Sequence, residues 1–140
     1  GYENFKFYLQ YAYIDARLDY DGINRQKPLT PKHNAGSILM YESEKWRLGY
    51  ELYYTGGQTL SDLSSVDDYW TMGLLLSRQV NRFNLFINFE NFTDTRLSKF
   101  QNTIIPPHNN PSFPEIWSPT DGFIFSVGVK WKILGEFDED

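Results

Sequence analysis

The feature that most constrains this chain is an alternation of apolar and polar residues that is repeated along several segments. The first segment has its apolar side chains at every second position: Phe5, Phe7, Leu9, Tyr11 and Tyr13. Because successive side chains of a β-strand point to opposite faces, this pattern predicts a strand with one apolar face. The spacing of an amphipathic helix is nowhere sustained. We therefore expect an all-β chain.

The same alternation returns in residues 46–54, 70–77, 83–90 and 123–133. The apolar positions are Trp46, Leu48, Tyr50, Leu52 and Tyr54; Trp70, Met72, Leu74 and Leu76; Phe83, Leu85, Ile87 and Phe89; and Phe123, Phe125, Val127, Val129, Trp131 and Ile133. Residues 33–42 are predicted to form a sixth, weaker strand. Both parities of that segment contain apolar residues, so the alternation does not assign its facing.

The predicted connections alternate between long and short. Residues 19–32, 55–68 and 94–120 are long and rich in Gly, Pro, Asn, Asp and Ser, whereas residues 42–45 and 79–82 form tight turns. This layout is typical of bacterial outer-membrane barrels, which have short periplasmic turns and longer extracellular loops. With a periplasmic C-terminus, all three long connections fall outside the cell. The sequence thus predicts an antiparallel up-and-down meander of six transmembrane strands.

Aromatic residues, which make up 18% of the chain, lie near both ends of the predicted strands. Those at the inferred periplasmic ends are Phe5, Trp46, Phe83 and Trp131, and those at the opposite ends are Tyr13, Tyr54, Trp70 and Phe123. Trp and Tyr favour the boundary between membrane and water. A soluble sandwich or lipocalin-like barrel is the alternative, because one face of its strands also packs on a core. The aromatic ends and the loop asymmetry favour the membrane barrel.

Several classes of function have no support in the sequence. The chain has no cysteine and a net charge of -5, and its basic residues are scattered, so neither thiol chemistry nor nucleic-acid binding is expected. His33 and His108 lack ligand-spaced partners, and no metal site is predicted. No nucleophile elbow or glycine-rich phosphate loop occurs. We therefore do not expect this chain to be an enzyme or to bind a cofactor.

The last predicted strand carries a recognisable pattern. Residues 126–133 read polar, any, Gly, any, any, hydrophobic, any, hydrophobic, which resembles the C-terminal signal recognised by the barrel-assembly machinery. The specified positions are Ser126, Gly128, Trp131 and Ile133. Gly128 is expected to let the strand bend or another backbone approach closely, with Trp131 and Ile133 on the lipid side. Residues 134–140, four of which are acidic, are expected to form a solvated periplasmic tail.

A further resemblance concerns the segment before the longest loop. Residues 88–96, Asn-Phe-Glu-Asn-Phe-Thr-Asp-Thr-Arg, resemble a segment of TonB-dependent receptors that ends the penultimate strand and begins the last extracellular loop. Here too the segment precedes one long loop and then the final strand. Residues 28–33 and 53–57 are also similar to later barrel strands of that family. The resemblance covers nearly the whole chain.

The resemblance implies a complete protein with an N-terminal plug and a barrel of the roughly 22-stranded type, which imports a scarce nutrient with energy from TonB. Residues 1–133 would be its C-terminal strands in the bacterial outer membrane, and residues 134–140 its tail. The nutrient would be a small molecule of siderophore, cobalamin or glycan type. The implied partners are outer-membrane lipid, the barrel-assembly machinery, the plug domain and TonB. Two alternatives remain: a small outer-membrane barrel or adhesin completed by oligomerisation, and a soluble barrel that binds a small apolar ligand.

Two groups of residues are candidates for function. The predicted lumen-facing residues are Arg47, Glu51, Asn84, Asn88, Glu90 and Lys130, which would line a solute path or pair with a plug. The Pro-rich loop of residues 95–120 contains the candidate ligand contacts His108, Glu115 and Trp117. Loops held by a rigid scaffold often carry specificity, although ordinary loop packing also explains such residues.

Overall fold

The computed structural model describes residues 4–133, which form ten β-strands and one short helix. The predicted acidic tail, residues 134–140, lies outside the described residues. The elements are β1 (Phe5–Tyr13), β2 (Arg17–Tyr20), β3 (Ile23–Gln26), β4 (His33–Glu42), β5 (Trp46–Thr55), β6 (Gln58–Thr59), β7 (Ser65–Val66), β8 (Tyr69–Val80), β9 (Phe83–Glu90), α1 (Leu97–Phe100) and β10 (Ile124–Trp131). The expected all-β class is confirmed. Within this range α1 is the sole helix, and it is too short to cross a bilayer.

The six long strands form one antiparallel sheet with the order β1-β4-β5-β8-β9-β10. Each strand pairs with the next long strand along the chain, so the predicted up-and-down meander is confirmed. Over residues 4–133 the sheet is open, with β1 and β10 as its two edges. The two remaining strand pairs, β2-β3 and β6-β7, are small hairpins inside the long connections.

The strand register collects the apolar residues on one face of the sheet. Directly opposed residues of neighbouring strands share a face. One row of such partners crosses all six strands through Phe7, Leu39, Tyr50, Leu74, Phe89 and Phe125. The odd-numbered residues of β4 lie on this apolar face, which settles the facing that the alternation left open. The opposite surface is the polar face.

Neither face of the sheet is covered by a second layer within residues 4–133. No large side chain in this range is fully buried, and Leu9 and Val127 on the apolar face are 73% and 67% exposed. A soluble domain normally buries the apolar face of a sheet against another layer. The apolar face of this sheet is instead open to its surroundings.

The two ends of the sheet differ. The connections of residues 14–32, 56–68 and 91–123 all lie at one end, here called the loop end. The connections of residues 43–45 and 81–82 lie at the other, the short-turn end. Asn81 has a φ of 53°, a left-handed conformation that Asn tolerates better than most residues and that tight turns require. The predicted alternation of long and short connections is confirmed.

Candidate functional site

The polar face holds all six residues predicted to face a lumen. Arg47 and Glu51 lie on β5, opposite Ser77 and Gly73 of β8. The other four lie at alternate positions of β9 and β10: Asn84, Asn88, Glu90 and Lys130. The structure thus places them on one surface, and whether that surface faces a lumen remains a prediction.

A charge cluster joins three strands at the short-turn end of the polar face. The Lys6 ammonium donates to Glu42 Oε2 at 2.6 Å, and Arg47 Nε contacts Glu42 Oε1 at 2.7 Å. Both cations are more than half exposed, and ion pairs of that kind stabilise a fold by little because water and salt screen them. A depression beside this cluster is also lined by Lys45 and Arg82. This end of the polar face is therefore rich in basic groups.

Carboxylates predominate closer to the loop end of the polar face. Glu51 and Glu90 line a shared depression together with Asn88. The Asn88 amide donates to Glu90 Oε1 at 2.7 Å, which orients that carboxylate. Charge therefore changes sign along the polar face, from basic near the short turns to acidic nearer the loops. Such a surface attracts water and charged solutes and is unsuited to an apolar core.

Two glycines on the polar face, Gly36 and Gly128, lie beneath aromatic rings. A Cβ atom on Gly36 would come within 2.9 Å of the Tyr53 ring, and one on Gly128 would collide with the Phe86 ring. In each case the ring belongs to the residue directly opposite the glycine on the neighbouring strand. The close approach predicted at Gly128 is thus made by an aromatic side chain rather than by a backbone.

The other residues of the predicted assembly signal divide between the two faces. Ser126 lies opposite Asn88 on the polar face, whereas Trp131 lies opposite Phe83 on the apolar face, with the two rings stacked at 6.0 Å. Ile133 follows β10 and is 68% exposed. These positions agree with the pattern of a strand, and recognition by an assembly machinery remains a prediction.

Hydrogen bonds connect the three long connections to one another. The Leu29 backbone N–H, in the first connection, donates to the Thr59 carbonyl in the second at 2.9 Å. Gln58, in the second, donates from Nε2 to the Trp117 carbonyl in the third at 2.8 Å. Gln58 is 6% exposed, so this bond is shielded from water. The three connections therefore form one hydrogen-bonded layer at the loop end, here called the loop layer, rather than three independent loops.

Trp117, a predicted ligand contact, lies in the small core of this layer. It is 6% exposed, and its ring packs 5.0 Å from Phe100 and 6.2 Å from Tyr69. Leu97 of α1, at 3% exposure, belongs to the same core. Neither Trp117 Nε1 nor the buried Ser118 hydroxyl has a hydrogen-bond partner within residues 4–133. Trp117 therefore packs inside this layer and helps to hold the connections together. Ligand contact by Trp117 remains a prediction.

The other two candidate ligand contacts have different environments. The Glu115 carboxylate accepts the Ser61 backbone N–H at 3.1 Å, which ties the third connection to the second. His108 lies exposed in the third connection. The structure thus gives Glu115 a role in joining the loops and leaves His108 open to solvent. Ligand contact by either residue remains a prediction.

Asp94 lies within the segment of residues 88–96 but is not among the candidate functional residues predicted from the sequence. Its carboxylate pairs with Lys99 at 2.7 Å and Arg96 at 3.5 Å, and it accepts the Phe123 backbone N–H at 3.2 Å. The hydrogen bond from Lys99 is the main reason that the pKa of Asp94 lies below its ordinary value. Asp94 therefore links the start of the third connection to its end. The sequence indicates these ion pairs only through the two basic residues, Arg96 and Lys99, that closely follow Asp94.

Arg78 is a second residue that the alternation did not single out. The predicted strand ended at Ser77, but β8 continues to Val80. Arg78 therefore occupies the next position on the apolar face after Leu76, and its guanidinium lies 4.8 Å from the centre of the Trp46 ring. Arg78 is thus a charged group on an otherwise apolar surface, a position at which charged residues are often functional.

Comparisons with known proteins provide no family for this chain. No protein-family model matches it, and no match was found among curated proteins or solved structures. Within residues 4–133, no three His, Asp or Glu side chains are grouped closely enough to hold a metal ion. Function must therefore be inferred from the sheet, its two faces and the loop layer.

Proposed function

We propose that this chain is the C-terminal barrel segment of a TonB-dependent receptor in a bacterial outer membrane, a transporter that takes up a scarce nutrient. The observation that carries the proposal is the apolar face, which continues in register across all six long strands while charged side chains occupy the other face. A sheet of this kind suits a barrel wall with lipid on one side and water on the other.

Exposure of the apolar face explains why lipid is the favoured environment. Each Leu, Val or Phe left in water forgoes about 1.5–3 kcal/mol relative to burial. On the two edge strands, Phe7 is 64% and Val129 is 61% exposed. Hydrocarbon around the barrel would remove these side chains from water without a second protein layer. The cost of exposure therefore favours a membrane.

Backbone hydrogen bonding adds a second argument. Inside a bilayer every backbone group needs a partner, so sheets span membranes only as closed barrels. The antiparallel pairs satisfy the inner strands, but within residues 4–133 the outer edges of β1 and β10 have no neighbouring strand. We propose that further strands, encoded upstream of β1, continue the sheet and close it against β10.

Aromatic pairs at the two ends of the apolar face support a sheet that spans the membrane from one boundary to the other. The pairs are Phe5–Tyr41 at 5.0 Å and Phe83–Trp131 at 6.0 Å near the short turns, and Tyr54–Trp70 at 4.8 Å near the loops. Aromatic side chains with an apolar body and a polar tip are favoured at both membrane boundaries. Since outer-membrane barrels have short periplasmic turns and longer extracellular loops, we propose that the short turns are periplasmic and that the loop layer is extracellular.

Uptake is inferred from the polar face and from the resemblance of residues 88–96 to TonB-dependent receptors. The polar face would line a wet lumen in which Arg47, Glu51 and Glu90 meet the solute or a plug. The loop layer would present the nutrient-binding surface. In the full-length protein, the plug and TonB would be the partners for transport, and the barrel-assembly machinery would insert the strands.

The two open edges also favour a second candidate, a barrel completed by several copies of this chain. Every residue of β1 is exposed, which leaves its outer edge available to the β10 strand of another copy. Such a protein would be a small outer-membrane barrel or adhesin without a plug. A soluble lipocalin-like barrel, by contrast, would enclose the apolar face.

A cysteine scan of β9 tests the membrane assignment. The chain has no native cysteine, so single cysteines can carry a spin label without background. Labels at Leu85 and Ile87 are expected to collide with lipid-dissolved oxygen, and labels at Asn84 and Asn88 with a water-soluble nickel chelate. If labels at Leu85 and Ile87 are shielded from both reagents, the apolar face is enclosed and the soluble barrel is correct.

The coding sequence upstream of Gly1 tests the receptor assignment. Additional alternating strands preceded by a compact plug domain would support it. If neither is encoded there, the receptor proposal fails and the oligomeric barrel becomes the better candidate. Mass measurement of the detergent-extracted protein would then be expected to show several identical chains in one complex.

A further inference from the structure

Arg78 is the only Lys, Arg, Asp or Glu on the apolar face of the six paired strands within residues 4–133. Its direct partners are Trp46 on β5 and Leu85 on β9, both of which belong to that face. The remaining charged residues of these strands fall on the polar face.

Within residues 4–133, the surroundings of Arg78 supply no counter-charge. None of the ion pairs formed within the described range includes Arg78, and the side chain is exposed. Its close contact is the face of the Trp46 indole, 4.8 Å from the guanidinium carbon. A cation–π contact stabilises the guanidinium and orients it, but leaves most of its five N–H donors free to bind another group.

The height of Arg78 in the sheet places this charge near one boundary of the proposed membrane. β8 ends at Val80, and the short turn of residues 81–82 follows immediately. An Arg on the lipid face costs about 2–4 kcal/mol at the bilayer midplane but only about 0–1 kcal/mol near the interface. Arg78 therefore lies where its long side chain reaches the headgroup layer.

An apolar groove begins at Arg78 and extends away from the short turns. Its other lining side chains include Trp46, Leu76, Leu85, Ile87, Val127 and Val129. The row formed by Arg78, Leu85 and Val129 is nearer the short turns, and the row formed by Leu76, Ile87 and Val127 is farther from them. A single cationic group at one end of an apolar groove matches a molecule with an anionic head and a hydrocarbon chain.

We propose that Arg78, Trp46 and this groove bind one anionic phospholipid from the leaflet at the short-turn end. The Arg78 guanidinium would donate to two phosphate oxygens, the geometry that Arg provides and Lys does not. An acyl chain would lie against Leu76, Ile87 and Val127. The inference rests on the proposed function, because it requires the apolar face to meet lipid.

The test is native mass spectrometry of the full-length protein extracted from its membrane in detergent. Phosphatidylglycerol and phosphatidylcholine with identical acyl chains are added in turn. The native protein should retain phosphatidylglycerol about fivefold better, since one Lys or Arg near a membrane attracts anionic lipid by about 1 kcal/mol. Inorganic phosphate should not displace the lipid. Displacement by inorganic phosphate would show a simple anion site and overturn the proposal.

Three variants separate this site from general charge attraction. R78Q should lose the preference for phosphatidylglycerol, and R78K should keep part of it. R82Q removes an equal charge from the adjacent short turn and should bind like the native protein. Equal loss in R78Q and R82Q, or no loss in R78Q, would refute the lipid site. Heat-resistant migration on gels shows whether each variant has folded.

Failure of the lipid site and failure of the proposed function give different results. A protein that enters membranes yet retains both lipids equally well lacks the lipid site but keeps its membrane assignment. A native protein that stays in the aqueous phase without detergent, with no bound lipid of either kind, contradicts the membrane proposal itself.

Discussion

The ring of Phe86 lies directly against Gly128, its partner across the β9-β10 pair, and occupies the space that a side chain on Gly128 would need. A ring over a cross-strand glycine covers exposed backbone and pins the register of an edge strand. β10 has a described neighbour on one side alone, so the contact helps to hold this strand in place.

Substitution of Gly128 by Ala should therefore destabilise the protein. The new methyl group collides with the Phe86 ring, and overpacking of this kind typically costs about 1–3 kcal/mol. The measurement is urea unfolding in lipid vesicles. G49A is the matched control, because the nearest atom to its Cβ would be the Leu75 Cβ at an ordinary 3.6 Å. Equal stability of G128A and G49A would contradict the contact.

The two faces of β9 should respond oppositely to a new charge. I87R places a cation on the apolar face between Leu76 and Val127, where lipid contact would cost about 2–4 kcal/mol. N88R, one residue later, adds the same side chain to the polar face and should cost about 1 kcal/mol or less. The measurement is the yield of folded protein in membranes. Similar losses in both variants would argue against a lipid-facing and a wet side.

Loss of the Gln58 side chain should loosen the loop layer. Q58A removes the 2.8 Å bond to the Trp117 carbonyl and leaves that buried acceptor unsatisfied, at a cost of about 1–3 kcal/mol. Limited proteolysis should then cleave residues 95–120 faster. Q101A removes a much longer contact, 3.5 Å from Gln101 Nε2 to the Glu115 carbonyl, and should change cleavage less. If the two variants are cleaved alike, Gln58 does not link the loops.

Acid should release the third connection through Asp94. The pKa of Asp94 lies below its ordinary value of 3.8, chiefly because of the Lys99 hydrogen bond, so the folded state favours the carboxylate. Its stabilising effect is complete above that ordinary value and disappears as the pH falls through the lower, folded pKa. The Phe123 N–H donates to Asp94, so its protection from hydrogen exchange, measured relative to the intrinsic exchange rate at each pH, should fall in that acidic range.

The D94N variant is the control for this pH effect. Asn at position 94 cannot titrate and cannot form the ion pairs with Lys99 and Arg96 that hold the Asp94 side chain in place. Protection of the Phe123 N–H should therefore be lower already at neutral pH and should show no added fall from this group in acid. K99M should shift the transition upward in pH, because the main cause of the lowered pKa is removed. An unchanged transition in K99M would show that Lys99 does not control Asp94.

Contacts between the long loops are the part of the structure that local sequence patterns do not predict. Trp117 and Glu115 are candidates for ligand contact from the sequence because aromatic and polar residues in a long loop suit ligand binding. The structure finds Trp117 buried beside Phe100 and Glu115 bonded to the Ser61 backbone. These contacts join segments that are far apart in the chain, and no spacing within one segment predicts them.

The sequence by itself determined where the six strands lie and which side of five of them is apolar, because side-chain direction in a strand alternates residue by residue and depends on no distant partner. The tertiary structure alone decided the facing of β4. Leu39 joins the apolar face because it lies opposite Phe7 on one side and Tyr50 on the other. Register is a relation between strands, so it appears only once those strands are paired.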